Sequence, residues 1–288
     1  MKFRSCRFCF GDPRIQTNCV RILGKVLRNY RWCIALAAAL AAFFSLNLPA
    51  QTWPPAPTLP EPPTPQPLTL RETPGNVLKD QGAIWSSPGR IRDHDFTYLI
   101  PLGLAVAVTI TADHQVMSDT VSHDTSFNNT NTNASNALLV PFIGAPVTLY
   151  GVGHFANNDH ARETGILGGE AMVDSLVVEQ AMKLIFLRER PTVDGAKGKF
   201  FQTSVGVDGS FPSNHSMLAW SSAAVLAEEY PSRLNRLGVY TLATGVSLTR
   251  VLGQQHFPSD VLVGSAFGWM VGHYVYKKHH RWHLPLYR

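Results

Sequence analysis

The sequence predicts an all-α protein, a bundle of about six core helices with its candidate functional residues gathered at helix ends. Three observations predict it. Apolar residues recur with a helical period over roughly 96–112, 137–156, 161–189, 216–230, 237–252 and 259–276. Few stretches alternate apolar and polar residues as strands do. Hydrophobic residues make up 45% of the 288 and charged ones only 16%, which suits large buried helices or membrane contact.

The chain divides into three parts. Residues 1–50 carry eight Lys or Arg and one acid, leaving 17 basic and 19 acidic residues in 51–288. The overall charge of +5 therefore belongs to the leader, and the rest offers no basic face for nucleic acid. Within the leader, Arg21, Lys25, Arg28 and Arg31 precede an apolar run from Cys33 to Leu46. That run is short for a membrane span and reads as a signal peptide cut after Ala50, with an N-terminal anchor as the alternative. Export would place the rest in the periplasm or on the outer face of the inner membrane. All four cysteines (Cys6, Cys9, Cys19, Cys33) sit in this segment, so thiol chemistry and disulfides carry no function in the remainder.

Residues 51–75 hold nine of the twenty prolines and read as an extended linker. The domain proper is expected over 76–288. Its first two apolar runs, 96–112 and 137–156, contain no Asp, Glu, Lys or Arg and nearly reach spanning length. The third carries Glu163, Glu170, Asp174 and Glu179, which are costly in lipid, and the mean hydropathy is −0.02. A soluble helical domain is favoured, with embedding in a membrane as the alternative. The polar stretch from Asn128 to Asn136 is expected to be a connecting loop.

Three motifs carry the chemistry. In the first, Lys183 and Arg190 are seven residues apart, a spacing that puts both on one helical face, and Pro191 ends the helix. In the second, Phe211-Pro212-Ser213-Asn214-His215 leads into an apolar helix. Ser213 is placed to cap it, and the free N–H groups of Asn214 and His215 are placed to bind an anion. In the third, Arg250 precedes His256, Pro258 and Asp260, with Asp260 in the first turn of the last helix and in reach of one His256 nitrogen. Each has a plain structural explanation when taken alone: a solvated cation pair, a cap, an acid at a helix start.

In this order and at these spacings the motifs resemble those of one superfamily. It comprises type 2 phosphatidic acid phosphatases, bacterial class A acid phosphatases and vanadium haloperoxidases. Lys183, Arg190 and Pro191 match its first motif, Pro212, Ser213 and His215 its second, and Arg250, His256 and Asp260 its third. Asn214 stands where the family has glycine and Thr249 where it has serine. The resemblance implies a metal-independent phosphatase with no cofactor, acting on a phosphate monoester or diphosphate of a lipid or small molecule. It implies His256 as the nucleophile that forms a phosphohistidine and His215 as the acid for the leaving group. Asp260 would orient His256, while Lys183, Arg190, Arg250, Ser213 and Asn214 would hold the phosphate. Vanadate would be the cofactor only under the alternative of a haloperoxidase. A catalytically idle, membrane-associated binding protein is a further alternative. A membrane surface is a candidate partner, and the oligomeric state stays open. The remaining histidines, including those of the Lys277–His283 tail, read as structural or solvated.

Overall fold

The computed structural model describes residues 68–281; the leader, its cysteines and most of the proline-rich stretch lie outside the described residues. Seven α-helices and no strand occur among them: α1 (Thr73–Ser86), α2 (Phe96–Gln115), α3 (Thr125–Phe155), α4 (Asp159–Phe186), α5 (Asn214–Glu229), α6 (Arg233–Leu252) and α7 (Pro258–His279). The all-α expectation holds. The helical unit reaches back into the stretch read as a linker, because Leu68 is buried in the core and α1 starts at Thr73.

Caps set the helix starts. Asp124 accepts from the Phe127 N–H at 2.8 Å, Asn158 from Ala161 at 3.0 Å, and Ser232 from Asn235 at 3.1 Å. The Asp124 cap overturns the loop expected at 128–136, which instead forms the opening turns of α3. Polar side chains there fold onto the helix's own carbonyls: Thr130 Oγ1 donates to Ser126 and Asn131 Nδ2 to Phe127. Poor helix propensity is overridden by these bonds and by the full burial of Ser135.

Helix α5 is the centre of the bundle. It is buried on every side from Ser216 to Val225 and packs against α3, α4, α6 and α7. Its approach to α7 depends on glycine. A Cβ on Gly268 would lie 2.3 Å from the Met217 carbonyl oxygen, and one on Gly264 would lie 2.7 Å from that of Ser213. Against α3, a proline supplies the register. Pro146 has no N–H for the Phe142 carbonyl, and Ser222 of α5 donates its hydroxyl to that oxygen at 3.0 Å.

The outer faces of α2 and α3 are apolar. Leu104 is 63% exposed, Val108 67% and Val147 72%. Two stretches, Asp93–Thr120 and Thr125–Phe155, are long and apolar enough to cross a membrane, and none of the first one's apolar window is buried. Exposed apolar residues on this scale mark a contact surface rather than an ordinary wet face.

The α5–α7 contact makes a direct prediction. Gly268→Ala must push the helices apart and should cost about 1–3 kcal/mol, whereas Gly169→Ala, which meets nothing within 4 Å, should be neutral or stabilising by up to about 1 kcal/mol. Urea melts of the two variants check it; equal stability would contradict the close approach.

Candidate anion site at the helix ends

The C-terminal ends of α4 and α6 and the N-terminal ends of α5 and α7 meet at one end of the bundle. Helix α4 stops at Phe186, where Leu187 turns left-handed (φ 42°). This corrects the reading that Lys183 and Arg190 share a helical face: Lys183 is on α4, and Arg190 lies beyond its end. The chain stops early because it doubles back on itself. Phe201 and Gln202 donate to the carbonyls of Phe186 and Leu187, and Glu189 donates to Lys199.

This reversal buries Arg188, a residue for which sequence reasoning assigned no role. Its guanidinium is stacked between Phe200 and Phe257, 4.6 and 4.1 Å from the ring centres. It donates to Asp260 Oδ1 at 2.6 Å, to Asp113 Oδ2 and Ser259 Oγ at 2.7 Å, and to the Gly198 carbonyl at 3.2 Å. Gly198 has φ +58°, and a Cβ there would strike the Phe257 ring and the guanidinium. In sequence, Arg188 is one more charge in Arg-Glu-Arg; the motif spacing and Pro191 single out Arg190, and nothing singles out Arg188.

His256 is fully buried, and its Nδ1 donates to the Ser210 carbonyl at 2.7 Å. That bond fixes the proton on Nδ1 and leaves Nε2 as a lone-pair nitrogen. The Asp260 carboxylate was expected to make this contact. Its Oδ2 is 3.7 Å from Nδ1 and is occupied by the Phe257 N–H at 2.8 Å, while Oδ1 takes Arg188. Ser210 is itself pinned, donating its N–H to the Arg188 carbonyl and its hydroxyl to that of Glu189, each at 2.8 Å. No motif pointed to Ser210, because the acceptor is backbone.

His215 is half-buried in the first turn of α5, with Nε2 2.9 Å from Asn136 Oδ1. Asn136 comes from the stretch expected to be an idle loop. Its neighbour Ser135 accepts from Arg250 NH1 at 3.3 Å. Ser213 caps α5 and donates its N–H to the Asp260 carbonyl at 3.0 Å, and Asn214 is the first residue of the helix. Asn214 takes ordinary helical geometry, so the glycine position needs no left-handed backbone.

Three cations complete the site. Lys183 is buried and paired with Glu179 at 2.7 Å. Arg190 donates to the carbonyls of Asp208 and Gln255 at 3.0 and 3.3 Å. Arg250 is buried with its Nε unbonded. Each is held by one or two acceptors and keeps further donors.

The charge balance shows in the protonation of the site. Burial, then Arg250, His256, Lys183 and Arg190, push His215 down to about 3. Burial and the cations Arg250, Arg190 and Lys183 also hold His256 well below the ordinary imidazole value. Burial, with Arg190, lowers Arg250 to about 10, and burial outweighs Arg188 to raise Asp260 to about 6. Two neutral imidazoles facing three cations, at the N-terminus of α5, form a receptor for a tetrahedral oxyanion.

Residues 166–284 match the family model described as the PAP2 superfamily. The matched stretch, less than half of the chain, carries the PAP2-superfamily pattern and supports the resemblance read from the motifs. The match takes in α5, α6, α7 and most of α4, and with them all eight residues singled out from the motifs. The lipid A 1-phosphatase of Porphyromonas gingivalis is 38% identical over 69 residues, which cover 23% of this chain and 16% of that protein. The shared stretch is thus a small part of both. No solved structure matches the chain.

For a site arranged in this way, the sign of the pH dependence follows. A depressed imidazole favours the folded state only above the unfolded value, about 6.5, and that contribution is lost as pH falls toward the folded value. Nitrogen NMR of histidine-labelled protein should show the His215 and His256 rings neutral at about pH 5 without ligand. Added phosphate should bring His215 into titration. Ordinary titration of both rings near 6.5 in the empty protein would contradict the charge balance described.

Proposed function

We propose that this protein is a metal-independent phosphatase that hydrolyses a phosphate monoester or diphosphate through a phosphohistidine on His256. The observation that carries the proposal is the state of His256: buried, uncharged, and pinned through Nδ1 to the Ser210 carbonyl, with Nε2 free in a site lined by three cations. A neutral imidazole held in one tautomer is a prepared nucleophile.

The reaction runs in two steps. His256 Nε2 attacks phosphorus, the bond to the ester oxygen breaks, and the leaving alkoxide takes a proton from His215. Binding of the anionic substrate is what protonates His215, since its charge offsets the Arg250, Lys183 and Arg190 cations that otherwise hold the ring neutral. Water then gives its proton back to His215 and attacks the phosphohistidine, releasing inorganic phosphate. Lys183, Arg190 and Arg250, with Ser213 and the N–H groups at Asn214, stabilise the equatorial oxygens in the place a metal ion would take. Asp260 acts at one remove. Its carboxylate near Nδ1 stabilises the imidazolium electrostatically, and its bonds to Arg188 and Phe257 hold the loop that carries His256.

The substrate we favour is a phosphorylated lipid. Support comes from the exposed apolar faces of α2 and α3 and from the partial relative, a lipid A 1-phosphatase. On this reading those helices lie against or within a membrane, and the leader directs the protein to the outer face of the inner membrane.

Acid quench after brief exposure to radiolabelled phosphate ester, with the labelled peptide mapped, tests the chemistry. Label should sit on His256 with chelator present, and His256→Ala should lose the label and at least ~10³-fold in turnover. His215→Ala should slow esters with poor leaving groups most and spare an activated aryl phosphate. Label on another residue, or an unchanged rate in His256→Ala, would show that the nucleophile has been misassigned.

A further inference from the structure

The opposite end of the bundle carries a second polar cluster, independent of the His256 chemistry. Glu163 in the first turns of α4, Glu229 at the end of α5 and His280 just past α7 bring their ligand atoms within 4.8 Å of one another. The two carboxylates are only 3% and 2% exposed. His280 Nδ1 is 3.0 Å from Glu229 Oε1 and 3.3 Å from Glu163 Oε1. Glu229 lies 16 residues beyond Ser213 along α5, so the cluster is about 24 Å from the anion site at 1.5 Å per residue.

We propose that Glu163, Glu229 and His280 form a binding site for a divalent transition cation, with zinc the best fit. Two carboxylate oxygens and one imidazole nitrogen are a ligand set that zinc takes, with a fourth position left for water. Bonds of about 2.0–2.2 Å in tetrahedral geometry put neighbouring ligand atoms about 3.3 Å apart, close to the separations around His280 Nδ1. The outer contacts also suit a metal site. His160 Nε2 holds the other Glu229 oxygen at 2.9 Å, and the Arg281 N–H donates to Glu163 Oε1 at 2.6 Å. Partners of this kind fix ligand orientation around a metal. The His280 ring is stacked on Tyr276 at 4.7 Å, and His160 packs against Tyr230 at 4.9 Å. Two nearly buried carboxylates gather negative charge between His280 and His160, and a divalent cation offsets it more fully than a proton on His280.

The ligands come from the start of α4, the end of α5 and the end of α7, so the ion would staple three helices at the end of the bundle away from the anion site. Its role is structural, and its loss should be read in binding and melting rather than in phosphate release.

Full-length protein without a histidine tag, its cysteines alkylated and its metals stripped by chelator, is titrated with Zn²⁺ by calorimetry. A parallel Co²⁺ titration is followed by visible absorption. We expect one tight site per chain, a raised melting temperature on Zn²⁺ addition, and the intense visible band of four-coordinate cobalt. Glu229→Gln and His280→Ala should each weaken binding at least ~100-fold. No stoichiometric site in the wild type, or affinity unchanged in both variants, would overturn the proposal and identify the cluster as proton-bridged ion pairs. If a variant fails to fold, the wild-type stoichiometry and cobalt spectrum still decide. Phosphate release is not the readout, so failure here leaves the His256 chemistry standing.

Discussion

The Arg188 guanidinium is the contact on which the rest of the site depends. A buried cation is costly unless it is paired and its donors are met, and here Asp113, Asp260, Ser259 and the Gly198 carbonyl take four of the five N–H groups while two phenyl rings exclude water. Its side chain joins α2 to the first turn of α7. Its own carbonyl accepts from Ser210, whose carbonyl in turn accepts from His256. One residue therefore fixes, through side chain and backbone together, both the loop that carries His256 and the acceptor that sets its tautomer. The Asp260 carbonyl extends the linkage to the Ser213 N–H and so to the start of α5.

Electrostatics explains why this construction faces an anion. Asp260 is directed away from the pocket toward Arg188, and the acid beside Lys183 is matched to it one for one. What remains toward the pocket is Arg190, Arg250 and two imidazoles that cannot hold protons while the site is empty. The excess positive charge is stored in a rigid, partly dry setting. An oxyanion relieves it, and the same relief restores a proton to His215. On the proposed function, binding and acid catalysis are then one electrostatic event.

The sequence made the bundle and the chemical side chains legible for local reasons. Helical periodicity located six of the seven helices to within a few residues, except at the start of α3, because burial follows the repeat of the backbone. The motifs named Lys183, Arg190, Ser213, Asn214, His215, Arg250, His256 and Asp260, and the structure sets all eight at the same end of the bundle or immediately behind it. The misses are tertiary. Asn136 and Ser135 lie in a polar run whose composition suggests a loop, and only contacts with His215 and Arg250 reveal their place. Ser210 acts through a carbonyl, to which residue type is blind. The motif singles out Arg190 but says nothing of Arg188, whose burial follows from the left-handed turn at Leu187.

The account turns on Arg188 and Ser210 presenting Nε2 of His256 to the oxyanion. A crystal structure with vanadate bound tests this most directly, because vanadate takes the five-coordinate geometry of phosphoryl transfer. The account predicts vanadium bonded to His256 Nε2, Nδ1 still donating to the Ser210 carbonyl, and Lys183, Arg190 and Arg250 on the vanadate oxygens. A His256 ring turned so that Nδ1 leaves Ser210 for Asp260, or vanadate bound away from His256, would contradict it.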